Sequence, residues 1–368
     1  MKRIKQIGLL SVLVAGMAGC SGSSSSPLPL VGTFRPDRAQ SRPERIENPA
    51  VATEWTYNNK KGRCIRTANY AIYTTEESPA IVGRLPGFVE AALRNYTTAL
   101  GDLPPPSGTL ETFVMSSRTE WERLTKQIMG ADAELYLRIP RGGYAASGRG
   151  VYYDIGAADT LSIAGHEGWH QYTQRVFRQP LPTWLEEGVA TYMEGHRWEG
   201  ATPRFLAWSN LERFDQLRSA AAAGTLMPLE QLISTSPQDL LGASPDQIPM
   251  KRMSTQGGPS ASDRLLTYYA QLWALVHFLN EGEHGKYSSS LRRLLADAAS
   301  GALRDKLAGS FGEQAAKGSI MMRRGPAAIV AYFNQDVDQF GGEYRAFIEK
   351  VVAVRSRDRI VSGLSPVR

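Results

Sequence analysis

The chain has 368 residues, 42% apolar and 21% charged, with 35 glycines, 21 prolines and two cysteines. That length and apolar share can bury one sizeable core or two modest ones, which excludes a disordered tail, and two cysteines exclude a disulfide-built scaffold. The formal charge is +6, from 42 basic and 36 acidic residues, and where that surplus lies decides whether it points to an anionic partner.

Half of the surplus sits at the start. Lys2, Arg3 and Lys5 precede an apolar run over 7–19 that ends in small residues, the pattern of an export signal. The run falls short of the roughly 20 apolar residues that span a bilayer, so it reads as cleaved. Removing 1–19 leaves +3, too little to argue for nucleic acid. Met17-Ala18-Gly19-Cys20 resembles the lipobox of bacterial lipoproteins, with Met17 where Leu is more usual. The resemblance implies a lipid on Cys20 and attachment to the cell envelope. Ser21, where inner-membrane retention in enteric-type lipoproteins uses aspartate, points to the outer membrane facing the periplasm. Residues 20–50, rich in Ser, Pro and Arg, read as a flexible tether. Cys64 is then expected as an unpaired, packed thiol. No later stretch approaches membrane length.

The predicted elements follow in order. Residues 55–57 and 64–74 flank Asn58-Asn59-Lys60-Lys61-Gly62 and read as a hairpin. Ser78-Pro79 opens a helical pattern running to Gly101, with Ser78 as cap and a kink at Pro86. A strand over 110–116, a helix over 118–129 and a glycine-flanked strand or hairpin over 142–155 come next. Its core, 151–155, is expected at the sheet edge, where an extended peptide can pair with it. From Asp159 the pattern turns helical. Asp159 is expected to cap a helix reaching Arg178, stopped by Pro180 and Pro182, and Thr183 to cap a second over 184–194. Later helices are expected over 203–223, 263–280, 288–299 and 343–354. The Ser-, Pro- and Gln-rich stretch 234–262 reads as a flap or an insertion. The division is 1–19 signal, 20–50 tether, 51–200 an α/β part and 201–368 a helical part.

Chemistry concentrates in His166-Glu167-Gly168-Trp169-His170. On a helix, histidines four residues apart lie on one face and can converge on one metal ion. Glu167 projects beside them, where a carboxylate can take a proton from water. A catalytic zinc needs three protein ligands and an open position. Thr173 and Val176 occupy the places where a metzincin would carry glycine and a third histidine. Leu181-Pro182-Thr183-Trp184-Leu185-Glu186-Glu187-Gly188 offers two carboxylates, and adjacent helical residues point about 100° apart, so only one can face the metal.

His166-Glu167-x-x-His170 followed by Trp184-Leu185-x-Glu187-Gly188-x-x-x-Tyr192-x-Glu194 resembles the gluzincins, and most of all the small bacterial peptidase-MA-like domains. The likeness extends over about 71–351, though only the motif stretch is specific. It implies an α+β fold with a thermolysin-like core: a small N-terminal mixed sheet, an active-site helix pair and a mostly helical C-terminal part. It further implies Zn2+ held by His166, His170 and Glu187, with Glu167 as general base, acting on a peptide or protein substrate. The 16 residues between His170 and Glu187 are fewer than in better-known members, which keeps Glu186 open as the third ligand. Glu194, two turns beyond Glu187, can hydrogen-bond a metal-bound histidine or be a solvated carboxylate. Tyr269 can face the oxyanion or simply pack in an apolar helix face with Leu265, Leu272 and Val276. His277 reads as a core or surface histidine, and His196 and His284 as loop residues. Two other readings share these residues: a non-catalytic envelope binding or assembly lipoprotein that keeps the fold, and a cell-wall peptide hydrolase.

Overall fold

The computed structural model describes residues 50–139, 141–242 and 260–368. The expected signal, Cys20, nearly all of the tether and most of the 234–262 stretch lie outside them. Helices hold 59% of the described residues and strands 14%, the expected α+β class with the sheet as the minor layer.

β1 (Val51–Tyr57), β2 (Lys60–Arg66) and β3 (Tyr70–Thr74) form an antiparallel meander. The expected five-residue turn is only Asn58-Asn59, both at positive φ, the backbone of a two-residue hairpin that asparagine tolerates. Lys60, Lys61 and Gly62 are therefore strand, and a second reversal at 67–69 splits the expected 64–74 strand.

The helix expected from Ser78 is two, α1 (Pro79–Val82) and α2 (Leu85–Thr98), with Pro86 in the first turn of the second, where its missing N–H costs nothing. Ser78 caps through its backbone carbonyl and not through its side chain. β4 (Leu110–Met115) and α3 (Arg118–Met129) fall where expected, and the Ser117 hydroxyl accepts from Glu120 N–H to start the helix. A short α4 (Ala133–Leu137) leads to β5 (Gly143–Ala146) and β6 (Arg149–Tyr153), joined at Ser147-Gly148.

The sheet order is β1-β2-β3-β4-β6-β5, with β3, β4 and β6 parallel to one another. The strand carrying Val151 is thus internal, and the edge is β5. That corrects the expected edge at 151–155, because the chain turns back after β5 and inserts β6 beside β4.

α5 (Ala157–Val176) crosses the sheet beside α2, β5 and β6. It starts at Gly156, whose φ of +101° suits only glycine, so Asp159 does not cap it and pairs instead with Arg141 at 2.9 Å. α6 (Thr183–Tyr192) follows Pro182; Thr183 is its first residue and not its cap. The helix expected over 203–223 is preceded by a hairpin of β7 (His196–Glu199) and β8 (Thr202–Phe205), and α7 (Leu211–Ala223) begins only where the Asn210 side chain accepts from Arg213 N–H. His196 is accordingly a strand residue, edge-on to Phe88 at 4.9 Å. The short α8 (Leu229–Ser234) ends at the first residue of the expected flap, and α9 (Pro237–Gly242) lies at its start.

α10 (Ala261–Gly285) is the central helix of the C-terminal half, laid against α6 and α7. Its last regular residues end near Gly282, and His284 sits beyond in a left-handed conformation. α11 (Ser288–Ser300), α12 (Leu303–Phe311), α13 (Glu313–Met322), α14 (Ala327–Tyr332), α15 (Val337–Val351) and α16 (Ser356–Val361) complete the chain; α15 starts six residues before the expected 343. One apolar core runs through both halves. Cys64 is a buried free thiol. Among the described residues no helix is long and apolar enough to cross a membrane.

Candidate metal centre

α5 and α6 meet where glycine allows close approach. A Cβ on Gly168 would stand 2.4 Å from the Tyr96 hydroxyl, which donates to Gly165 C=O at 2.8 Å, so α5 sits tight on α2. A Cβ on Gly188 would stand 2.9 Å from Val276 and 3.0 Å from Leu272 C=O, so α6 sits tight on α10. These contacts fix the two helices that carry the titratable groups.

His166 and His170 lie one turn apart on α5 with rings 5.0 Å apart, and both turn Nε2 toward α6. Glu187 Oε2 stands 3.5 Å from His166 Nε2 and 3.7 Å from His170 Nε2. Ligand atoms about 2.05 Å from a tetrahedral zinc lie roughly 3.3 Å apart, so this spacing fits one ion.

The opposite ring nitrogens are engaged elsewhere. Glu194 Oε1 is 2.8 Å from His166 Nδ1, and Glu186 Oε1 is 3.0 Å from His170 Nδ1. With each Nδ1–H donated to a carboxylate, Nε2 is the nitrogen each ring can offer a metal. Among the described residues His166 Nε2 is buried without a hydrogen-bond partner, as is Glu167 Oε2. Buried polar atoms left this way cost free energy, and a cation at the convergence point would relieve it. The donor set of two imidazoles and one carboxylate therefore fits zinc, and among the described residues it is the one group of three or more His, Cys, Asp or Glu with such convergence.

The electrostatics follow from burial: His166, Glu167 and His170 are 1% exposed and Glu187 is 0%. For Glu167, burial outweighs the pull of both histidines and raises its carboxyl to about 7. Ala145 N–H supports one side of that carboxylate from β5. For Glu187, burial is overridden by the histidines, which hold it down at about 2. His170 moves the other way: burial opposes its charge, but Glu187 and Glu186 push it up to about 10. Without metal, His170 and Glu187 therefore form an ion pair whose proton a metal must displace.

Glu194 is not a solvated carboxylate. Arg213 donates Nε to Oε2 at 3.1 Å and Nη2 to Oε1 at 3.0 Å, and Asn210 Nδ2 donates to Oε2 at 2.8 Å. Burial opposes ionisation, yet Arg213 keeps Glu194 ionised with a value near 2. Glu186 also accepts from the Thr173 hydroxyl at 2.7 Å, so it stands behind His170 and not at the convergence point. Tyr269, fully buried on α10, presents its ring to His166 at 5.9 Å, and Arg213 lies over the same ring at 5.4 Å.

The site thus brings together His166, Glu167, His170, Glu187, Glu194 and Tyr269. His277 is buried 3.6 Å from the Trp208 ring, away from this group. Sequence reasoning missed Arg213 and Asn210, which give no local signal because their partner is 16–19 residues away. It also missed the role of Glu186 behind His170. No family model matches the chain, and no curated protein matches it.

Proposed function

We propose that this chain is a zinc-dependent peptidase of gluzincin type, built on a thermolysin-like core, exported and held to the cell envelope by lipid on Cys20. The observation that carries the reading is the convergence of two Nε2 atoms and Glu187 beside a carboxylate whose Oε2 has no hydrogen-bond partner among the described residues. A bound zinc would supply Lewis-acid polarisation of the scissile carbonyl and a water acidic enough to ionise near neutral pH.

The protein's own residues do the rest. His166, His170 and Glu187 hold the ion, with Glu194 and Glu186 fixing the two ring orientations. Glu167, balanced near neutrality by burial, takes a proton on its carboxylate and returns it to the leaving amine. Tyr269 would serve the oxyanion side, a role that its ring beside His166 supports.

The test is Glu167→Gln. It should keep one equivalent of zinc and lower turnover of a responsive peptide about 10²–10⁴-fold, the scale of a lost general base. His170→Ala should lose the zinc at neutral pH. Wild-type turnover in Glu167→Gln, or full zinc in His170→Ala, would remove these assignments.

The near-complete burial of the four central residues favours a second reading, an envelope binding or assembly lipoprotein that holds a metal without turnover. A cell-wall peptide hydrolase would use the same chemistry on another amide. Peptide-library cleavage with a chelator control separates enzyme from binding protein, and digestion of isolated wall peptides tests the third reading.

A further inference from the structure

Two arginines stand close to this site, and they are used differently. Arg213 spends Nε and Nη2 on Glu194 and Nη1 on Gln216. Arg323 is bound through Nε alone, which donates to Leu181 C=O at 2.8 Å. Its Nη1 and Nη2 make no hydrogen bond or ion pair among the described residues. The neighbouring Arg324 shows that partners are within reach of this segment, since its guanidinium pairs with Asp239 at 3.0 Å and donates to Ser236.

Arg323 also closes α13 with φ of +56°, a left-handed conformation that glycine or asparagine adopts at less cost. The fold keeps arginine there and anchors it twice. Its carbonyl accepts from Thr183 N–H at 2.8 Å, and Leu181 takes its Nε. Both anchors lie at the start of α6, the helix that presents Glu186 and Glu187 within its next turn. Burial lowers the guanidinium's pKa, while Glu186, Glu187 and Tyr268 hold its charge in place. The residue nonetheless keeps a partly exposed rim. A desolvated guanidinium whose planar outer fork is unpaired among the described residues is the group that binds a carboxylate through two parallel N–H···O bonds.

We propose that Arg323 receives a substrate carboxylate, which makes the site selective for peptides carrying one within a few residues of the scissile bond. This rests on the peptidase reading for its substrate class. The carboxylate can be the peptide's own C-terminus or an acidic side chain, and both offer the same two oxygens to the same fork.

The experiment uses zinc-loaded wild-type protein and three acetylated tetrapeptide pools. One pool ends in a free carboxylate, one in an amide, and one in an amide with aspartate or glutamate included. Cleavage is followed by kcat and KM, and binding by calorimetry. A carboxylate-bearing pool should exceed the plain amide at least tenfold in kcat/KM; preference for the first pool identifies the chain terminus, preference for the third an acidic side chain. Arg323→Gln should bring the favoured pool down to the amide's level mainly through KM, with zinc content unchanged, and Arg323→Lys should recover part of the loss.

Cleavage of all three pools within twofold of one another overturns the role of Arg323 and leaves the peptidase reading standing. Full zinc with no cleavage of any pool removes the peptidase reading. Calorimetry then decides the carboxylate site alone: tenfold tighter binding of a carboxylate pool supports it, and equal or undetectable binding overturns it.

Discussion

At the residue scale, the two histidines have carboxylates of the same kind behind them and different support beyond. Glu194 is clamped by Arg213 and Asn210, whereas Glu186 is met by the Thr173 hydroxyl. Replacing either glutamate by glutamine keeps the shape and removes the charge that makes its imidazole a strong ligand. Both Glu186→Gln and Glu194→Gln should weaken zinc about 10–100-fold in chelator competition. Their stabilities should differ. Glu194→Gln leaves the fully buried Arg213 charge uncompensated, a loss on the order of 3–5 kcal/mol by chemical denaturation. Glu186→Gln leaves Glu187 in place beside His170 and Arg323, so neither loses its last carboxylate, and it should cost under about 1.5 kcal/mol. Equal losses in the two variants would mean that Arg213 finds another partner.

At the element scale, the positions of α5 and α6 depend on glycines as much as on apolar contacts. In a helix interior, glycine to alanine normally gains up to about 1 kcal/mol. At Gly188 that gain is outweighed, because the new methyl would press on Val276 and on the Leu272 carbonyl, backbone that cannot rotate away. Gly188→Ala should therefore lose about 1–3 kcal/mol and weaken zinc with it, since α6 must shift with Glu187 on board. Gly318→Ala, in α13 with open space around it, should instead stabilise, and the opposite signs in one denaturation series check the argument. The same geometry explains what was legible beforehand. The i, i+4 histidines announce themselves because the helix period places them on one face. Which of Glu186 and Glu187 turns toward them depends on how α6 rolls on α10, a contact across more than 80 residues of chain. Helix starts were misread for a local reason. Gly156 and Pro182 open α5 and α6 through backbone conformation, while Asp159 and Thr183, the residue types that usually cap, lie inside. The β7–β8 hairpin was hidden because Pro203 and the polar residues around it resemble a helix entry.

At the scale of the whole molecule, the two halves are joined through a buried titratable group that takes no part in the candidate site. His277 on α10 stacks on Trp208, which precedes α7, and meets Tyr192 at the end of α6 and Trp273 on its own helix. Burial lowers its pKa, against the pull of Glu281, whose carboxylate is 3.3 Å from Nδ1. The sign of the resulting pH dependence is fixed. Above the unfolded value of 6.5 the ring is neutral in both states, and its packing contributes in full. As pH falls through 6.5 toward the lower folded value, the unfolded chain takes up the proton first, and stability is lost by at most about 1.4 kcal/mol per pH unit. His277→Phe keeps a ring between Trp208 and Trp273 and removes the titration. With zinc saturating, the Tm of the wild type should fall more than that of His277→Phe between pH 7.5 and 5.0, and the gap should open below pH 6.5. A wild type that instead gains on His277→Phe as pH falls would show that His277 is charged in the folded protein, held so by Glu281, and that the joint between the halves is an ion pair instead of an aromatic stack.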